Sequence, residues 1–248
     1  GLEGADGWGV EVEASAEVPP ASGLGSSAAA AVAGLWGADA LFGHPLGYDR
    51  LLEMAAELEG HPDNAAACAL GGWTVAARRG DRVLAVRLAV PRGEVAGVVV
   101  LPRVQLFTEQ ARQVLPSRVS LQEAVFELSG AALVTACLTM GRWELLRWAM
   151  EDRLHQPARL GLVPGAGQAM EAAMAEGAYG ACLSGAGPSV LALCPPWHAP
   201  RVGAAMQQAF GQHGLESRVW VLDVAEEGVR VRARKEPVAQ AEQVDQTS

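Results

Sequence analysis

The amino-acid sequence predicts an α+β fold. Three observations favour it: short stretches with strand periodicity, longer stretches with helical spacing, and a restart of the pattern after Pro91. Half of the 248 residues are hydrophobic, which is enough for one large domain or two modest ones to bury an apolar core. We therefore expect a folded globule whose second part begins near residue 91.

Residues 1–90 are predicted to contain a strand, three helices and a hairpin. Apolar and polar positions alternate from Trp8 to Val18, as in a strand with one solvated face. The small residues of 26–42 indicate a buried helix, because alanines pack closely without β-branching. Two further helices are expected at 49–58 and 64–70, and hairpin strands at 73–77 and 83–88.

Residues 91–225 are predicted to contain four strands and five helices. The strands are expected at 95–101, 181–184, 189–194 and 218–224. The helices are expected near 108–115, 121–138, 143–153, 165–175 and 200–213. The charged and polar residues 226–248 are expected to form a frayed tail.

The charge of the chain argues against nucleic acid as a partner. The formal net charge is -9 and the basic residues are scattered, so the basic patch typical of nucleic-acid binding is missing. The longest apolar stretch, Ala28 to Leu41, is broken by Asp39 and is shorter than the ~18 residues that suggest a membrane span. The four cysteines form no CxxC pair, which favours reduced thiols. We expect a soluble, cytoplasmic protein that binds neither nucleic acid nor membrane.

A glycine-serine loop lies between the first strand and the first helix. In such a loop, backbone N–H groups and the helix N-terminus can face an anion such as phosphate. Gly23 and Gly25 allow close approach of the backbone, and the hydroxyls of Ser26 and Ser27 can bind phosphate or Mg²⁺. The loop lacks the Gly-Lys-Ser/Thr of a Walker A motif and the third glycine of a dinucleotide fingerprint. A tight turn with an N-cap serine is the alternative interpretation.

The pattern of this loop, P-x-x-x-G-L-G-S-S-A-A, resembles the ATP-binding motif of the GHMP superfamily, which contains galactokinases, homoserine kinases, mevalonate kinases and phosphomevalonate kinases. A second signature of the superfamily follows at 180–189, where a hairpin turn would be the interpretation without the resemblance. Together the two loops imply an ATP site. Its expected residues are Pro19, Pro20, Ala21, Ser22, Gly23, Leu24, Gly25, Ser26, Ser27, Ala28, Ala29, Ser184, Gly185 and Gly187.

The resemblance runs from about Trp8 to Val224 and implies the two-domain GHMP kinase fold. Residues 1–90 would form an N-terminal domain similar to ribosomal protein S5 domain 2, and residues 91–225 a ferredoxin-like C-terminal domain followed by the tail at 226–248. The family's N-terminal segment, with an Asn-rich loop that contributes to the acceptor site, has no counterpart here. We therefore expect an upstream segment.

The segment from Glu53 to Asn64 resembles a part of homoserine kinases in which a helix glutamate, a His-x-Asp-Asn turn and a Gly-Gly stop recur. By that resemblance Glu53 is a Mg²⁺ ligand beside Ser27, and His61 and Asn64 face the acceptor. A carboxylate opposite the serine hydroxyls would offer Mg²⁺ a second hard oxygen ligand.

Two alternatives stay open in this segment. Glu53 and Glu57 are four residues apart and could form one solvated helix face. Asp63 could act as a catalytic base, or it could simply cap the next helix.

The segments 108–112 and 152–159 resemble those that bring two arginines to the amino-acid carboxylate in homoserine kinases. Arg112 and Arg159 are expected to take that role. A planar guanidinium suits it because it can donate two parallel hydrogen bonds to a carboxylate. Isolated arginines are more often surface residues, and His155 is expected to be structural.

The resemblance implies transfer of the γ-phosphoryl group of ATP, with Mg²⁺, to the side-chain hydroxyl of L-homoserine, giving O-phospho-L-homoserine for threonine synthesis. Alignment and charge stabilisation would suffice for this reaction without a strong base. One alternative is a kinase of the same superfamily with a threonine or mevalonate-like acceptor. The other is a non-catalytic binding protein on the same fold. A homodimer is left open.

Overall fold

The structure, a computed structural model, describes residues 9–89, 91, 93–106 and 108–232. Over these residues the chain folds into nine α-helices and six strands, which confirms the α+β prediction. The helices are α1 (Ser26–Leu41), α2 (Tyr48–Glu59), α3 (Asp63–Leu70), α4 (Thr108–Gln113), α5 (Leu121–Met140), α6 (Leu146–Ala149), α7 (Gln156–Leu160), α8 (Ala166–Ala175) and α9 (Ala199–Gln212). The strands are β1 (Trp73–Arg79), β2 (Arg82–Leu88), β3 (Ala96–Pro102), β4 (Gly180–Leu183), β5 (Val190–Cys194) and β6 (Ser217–Leu222).

The second half of the chain is built on a four-stranded antiparallel sheet in the order β4-β5-β3-β6. With the connecting helices this gives the β-α-β-β-α-β arrangement of ferredoxin-like domains. Val98 and Val100 of the central strand point into the main core, which also contains Met206 and Phe210 of α9. Gly203 lets α9 lie close to the sheet, because a Cβ there would be 2.9 Å from Val219 Cγ1.

The first half packs three helices against the β1–β2 hairpin. The helices meet through small residues such as Ala55, Ala65 and Ala69, around the larger Val32 and Leu52. The helix predicted at 26–42 forms as α1, but the prediction that it is buried is wrong, since only Ala28, Val32 and Asp39 of it are buried. The alanines that allow the close approach belong to α2 and α3. On the hairpin, Arg79 pairs with Arg82 across the turn, and Ala76, Val83 and Ala85 pack against the helices.

The chain returns to the first half after β6. The Gly72 amide donates a hydrogen bond to the Ala225 carbonyl at 2.6 Å, and Val229 packs against the cluster formed by the first three helices. Residues 223–232 have no helix or strand but make these contacts. The predicted tail from residue 233 onward lies outside the described residues.

Two local predictions are wrong. Residues 9–18 form no strand, since no neighbouring strand pairs with them among the described residues and an isolated extended segment has no ladder to stabilise it. Trp8, the first residue of that predicted strand, is not described. The helix predicted at 143–153 is a short 3₁₀ turn (Trp143–Leu145) followed by α6. The helix does not continue to 153 because the next residues form a turn, in which the Asp152 carboxylate accepts the N–H groups of Leu154, His155 and Gln156 ahead of α7.

One helix among the described residues, α5, is long and apolar enough by composition to cross a membrane. It begins with a capping box in which Ser120 and Glu123 exchange hydrogen bonds, and it ends at Gly141 in a left-handed conformation.

Candidate active site

The glycine-serine loop ends at an uncapped helix N-terminus. Gly25, the N-cap residue of α1, has a φ of 76° and no side-chain capping bond, and the first turn of α1 contains no acidic residue. The first N–H groups of α1 are therefore left to bind an external acceptor. The loop itself is rigid, because the buried Ser22 hydroxyl donates to the Pro19 carbonyl at 2.6 Å.

The second glycine-rich loop lies directly against the first. The Ser184 hydroxyl donates to the Gly23 carbonyl oxygen at 2.8 Å. A Cβ at Gly23 would overlap the carbonyl oxygens of Ser184 and Gly187, so only glycine fits there. Two loops that are 161 residues apart in sequence thus form one surface.

A cavity of about 1030 Å³ opens beside the two loops. Most of the predicted site residues line it: Ala21, Ser22, Gly23, Gly25, Ser26, Ser27, His61, Asp63, Asn64, Arg112, Arg159 and Gly185. Eight others do not line it: Pro19, Pro20, Leu24, Ala28, Ala29, Glu53, Ser184 and Gly187. Of these, Ser184 and Gly187 support the loop from behind, and Ala28 is buried in α1.

Ser27 faces Glu59 instead of Glu53. The Ser27 hydroxyl donates to Glu59 Oε1 at 2.6 Å, and Glu59 lines the cavity. Glu53 is turned away and lies 3.4 Å from Arg50, which also contacts Glu57. The reason is helical geometry: six residues at 100° each place Glu59 about 120° around the helix from Glu53.

The turn from α2 to α3 holds three polar side chains in fixed relation. His61 Nδ1 lies 2.5 Å from Asp63 Oδ1, and the same oxygen accepts a hydrogen bond from the backbone N–H of Asn64 at 2.7 Å. The Asn64 side chain is adjacent to Gly25, where a Cβ would lie 3.4 Å from Asn64 Cγ. The turn thus presents an amide group to the end of the glycine-serine loop.

The two predicted arginines also line the cavity. Arg159 donates from Nε to the Ala111 carbonyl at 3.1 Å and from Nη1 to the Gly185 carbonyl at 3.3 Å. Burial lowers the pKa of Arg159, Asp152 raises it and Arg112 lowers it further. Two neighbouring guanidinium groups make this part of the cavity attractive to an anion.

The lining residues that the sequence did not predict include Asp152, Gln156 and Trp73. Asp152 accepts N–H bonds from Leu154, His155 and Gln156 and so fixes the start of α7, which carries Arg159. Buried Gln156 accepts the Leu183 amide at 2.7 Å. Trp73, at the start of β1, also lines the cavity. These roles depend on contacts between distant segments, and a local sequence pattern does not predict such contacts.

The chemistry available in the cavity is polar and not thiol-based. Cys182 lines the cavity, but burial, and secondarily Asp152, raise its pKa to about 12, so it stays protonated. Over the part of the chain that is described, no group of three or more His, Cys, Asp or Glu side chains could hold a metal ion alone. A metal here would need oxygen atoms from a phosphate ligand as well.

Comparison with known proteins identifies the same two halves. Residues 2–72 match the N-terminal domain of the GHMP kinases, and residues 131–212 match their C-terminal domain. A homoserine kinase of Synechococcus sp. (strain RCC307) is 40% identical over 225 residues, which are 91% of this chain and 72% of that protein. A homoserine kinase of Moorella thermoacetica is 43% identical over 85% of this chain and 70% of its own length.

The solved structures that are similar to this chain also include a homoserine kinase. The crystal structure of homoserine kinase from Cytophaga hutchinsonii superposes with a TM-score of 0.79 at 34% identity, covering 86% of this chain and 69% of that one. A galactokinase of Lactococcus lactis, at 15% identity and a TM-score of 0.59, covers 86% of this chain and 68% of its own and shares the fold alone.

Proposed function

Because this chain belongs to the homoserine kinase family of the GHMP kinases, we propose that it transfers the γ-phosphoryl group of ATP to the side-chain hydroxyl of L-homoserine. The product is O-phospho-L-homoserine, an intermediate on the way to threonine, made in the cytoplasm. ATP-dependent phosphotransfer follows from the family, and the acceptor follows from the relatives.

One observation gives the main structural support for this proposal. A single cavity is lined both by the glycine-serine loop and by an arginine pair, with Asn64 near the loop. A kinase for an acceptor with a carboxylate needs these parts together: a phosphate cradle, a carboxylate clamp and a gap between them for the hydroxyl.

On the phosphate side, the amides at the start of α1 and the Ser26 and Ser27 hydroxyls would bind the β- and γ-phosphates. The donor set also fits Mg²⁺, since a serine hydroxyl and a carboxylate stand 2.6 Å apart at the mouth of the loop. We therefore propose Glu59 with Ser27 as the metal-binding pair, in place of Glu53. Bound there, Mg²⁺ would neutralise charge on the transferred phosphoryl group.

On the acceptor side, Arg112 and Arg159 would bind the homoserine carboxylate. The hydrogen bonds from Arg159 to the Ala111 and Gly185 carbonyls hold its guanidinium in place without neutralising its charge. Pre-oriented in this way, the side chain loses little entropy when the substrate binds. His61 and Asn64 would position the rest of the amino acid near the loop.

The reaction needs little from the protein beyond alignment. The acceptor hydroxyl oxygen forms a bond to the γ-phosphorus while the bond from phosphorus to the bridging oxygen breaks, and ADP leaves with that electron pair. The hydroxyl proton would pass to Asp63, whose side chain is 72% exposed and can return the proton to water. Asn64 would steady the transferring group through its side-chain amide.

An acceptor assay tests the proposal. ADP release would be followed with L-homoserine, L-threonine and mevalonate at equal concentrations, and the phosphorylated product identified by mass spectrometry. We expect L-homoserine to have the highest kcat/KM. A higher value for mevalonate would assign the chain to another branch of the superfamily, and binding of ATP without turnover of any acceptor would favour the non-catalytic alternative.

A further inference from the structure

Gln156 is a buried polar residue that the proposed reaction does not use. It is 8% exposed and is the first residue of α7, three positions before Arg159. Its side-chain oxygen accepts a hydrogen bond from the Leu183 backbone N–H at 2.7 Å. Because a backbone N–H can only donate, the carbonyl end of the Gln156 amide must be the end that faces Leu183. This buried bond ties α7 to strand β4.

The Leu183 N–H lies on the free edge of the four-stranded sheet. Strand β4 is an edge strand, and its neighbour in the sheet is β5. The next N–H along the chain, that of Ser184, donates to the Ser189 carbonyl at 2.8 Å, across the turn that leads to β5. Successive N–H groups of a strand point in opposite directions, so the Leu183 N–H points away from β5. Gln156 therefore satisfies a buried N–H that the pairing with β5 leaves unused.

The residues that follow Leu183 contact both the arginine-bearing helix and the glycine-serine loop. The Gly185 carbonyl accepts a hydrogen bond from Arg159 Nη1 at 3.3 Å. The Ser184 hydroxyl donates to the Gly23 carbonyl at 2.8 Å. Three consecutive residues at the end of β4 thus connect α7 to the glycine-serine loop, and their position relative to α7 sets the distance between Arg159 and Gly23.

The helix α7 depends on tertiary contacts for its position. It has five residues, and a helix of that length is not stable by itself. Asp152 accepts the N–H groups two to four residues later, which shapes the turn before α7 but does not attach it to the sheet. The remaining side chains of α7 are apolar and cannot form hydrogen bonds: Pro157, Ala158 and Leu160. Gln156 therefore attaches α7 to β4 without using the Arg159 guanidinium, which stays available for a substrate.

We propose that Gln156 is a positioning residue for phosphoryl transfer. By fixing α7 against β4, it holds the Arg159 guanidinium at the distance from the glycine-serine loop at which the acceptor hydroxyl meets the γ-phosphoryl group. The inference rests on the proposed function in taking Arg159 to bind the acceptor. Transfer between two bound substrates is sensitive to this distance, because a misplacement of about 1 Å can cost about 100-fold in rate.

Steady-state kinetics of Gln156→Met test the proposal. Methionine is close to glutamine in length but is a weak acceptor, so the Leu183 N–H loses its partner. We expect kcat to fall about 10- to 100-fold while KM for ATP and for the acceptor changes less than about threefold, since the groups that bind them remain. The acceptor used is the one that the wild-type protein turns over fastest. Failure of L-homoserine alone would therefore contradict the proposed function and leave this test in force.

Two further variants separate positioning from support of the fold. Gln156→Glu keeps an acceptor oxygen at the same reach and should recover most of the lost kcat. Gln207→Met is the matched control, because Gln207 Nε2 of α9 donates to the Ser217 carbonyl at 2.8 Å, which is a similar bond from a helix to a strand. Neither Gln207 nor Ser217 lines the cavity, so this variant should leave kcat unchanged.

Hydrogen exchange followed by mass spectrometry gives a second readout that needs no turnover. In Gln156→Met, peptides that contain residues 183–187 should exchange about tenfold faster than in the wild type, and in Gln207→Met they should not. Should the wild-type protein turn over no acceptor, the proposed function fails, and this exchange alone decides whether Gln156 holds the segment. An unchanged kcat or unaltered exchange in Gln156→Met, an equal loss of kcat in Gln207→Met, or no recovery in Gln156→Glu would each overturn the proposal.

Discussion

Ser27 and Glu59 illustrate how a single pair of residues can set the chemistry of the loop. Their 2.6 Å hydrogen bond joins the start of α1 to the end of α2 and places a carboxylate at the mouth of the phosphate cradle. In the presence of Mg²⁺ and nucleotide, both oxygens are suited to coordinate the ion. The two carboxylates of α2 can therefore be separated by experiment.

Glu59→Gln should raise the Mg²⁺ concentration needed for half-maximal activity, since a neutral amide is the weaker ligand. Loss of an outer-shell partner alone costs about 10- to 100-fold in metal affinity, so loss of a ligand should cost at least as much. Glu53→Gln is the matched control and should leave the Mg²⁺ dependence unaltered. A larger effect of Glu53→Gln would restore the original expectation for the metal site.

Arg159→Leu should separate binding of the carboxylate from support of the fold. Removing one charge-assisted hydrogen-bond partner of a carboxylate costs about 1.5 to 3 kcal/mol, which is about one to two decades in kcat/KM for L-homoserine. Turnover of 3-amino-1-propanol, which lacks the carboxylate, should change little, and Arg159→Lys should recover part of the loss. Equal losses for both acceptors would mean that Arg159 only holds Ala111 and Gly185 in place.

At the scale of elements, the glycine-serine loop depends on its left-handed residues. Gly25→Val should abolish ATP binding, because the new side chain lies at the phosphate cradle next to Asn64. Gly43→Val is a well-matched control: Gly43 has the same φ of 76° but no atom within 4 Å of a Cβ, so it shares the backbone strain only. Isothermal titration calorimetry measures the affinity of both variants for ATP. Equal affinities would show that the glycine-serine loop does not bind ATP.

The cap of α5 gives a prediction with a pH dependence. Hydrogen bonds from the backbone and then the side chain of Ser120 lower the pKa of Glu123. A depressed folded-state pKa means that this contribution to stability is present above the ordinary glutamate pKa and is lost as the pH falls through the lowered value. Ser120→Ala should cost about 1 kcal/mol at neutral pH.

Thermal unfolding at neutral and acidic pH measures the effect of this cap. The difference between wild type and Ser120→Ala should shrink in acid, when Glu123 is protonated. Ser129→Ala, on the exposed side of the same helix, should show a smaller loss without the pH dependence. A loss of equal size at both pH values would show that the Glu123 carboxylate does not contribute.

Helices and strands were predicted correctly from the sequence where the local residue pattern matches the tertiary contacts that the segment makes. The buried strand β3, the hairpin and the helices α1, α2, α5, α8 and α9 all formed where apolar periodicity placed them. The predicted strand at 8–18 failed because strands need a partner that a single segment cannot specify. Glu59 and Asp152 were missed for the same reason, since their roles depend on which distant segment lies opposite.

At the scale of the whole molecule, the site exists because two halves of the chain meet. The first half supplies the glycine-serine loop and the His61–Asn64 turn, and the second supplies Arg112, Arg159 and the loop at 184–189. The domain boundary near residue 90 remains a prediction. Binding of both substrates should stabilise the folded protein together, because in the proposed site each would contact both halves.

Phosphorus NMR of the protein with ATP, Mg²⁺ and L-homoserine tests the central claim most directly. We predict a new phosphomonoester resonance that grows in step with ADP and is absent without L-homoserine or when Asn64→Leu replaces the wild type. Formation of ADP and inorganic phosphate alone, at a rate independent of L-homoserine, would contradict the account.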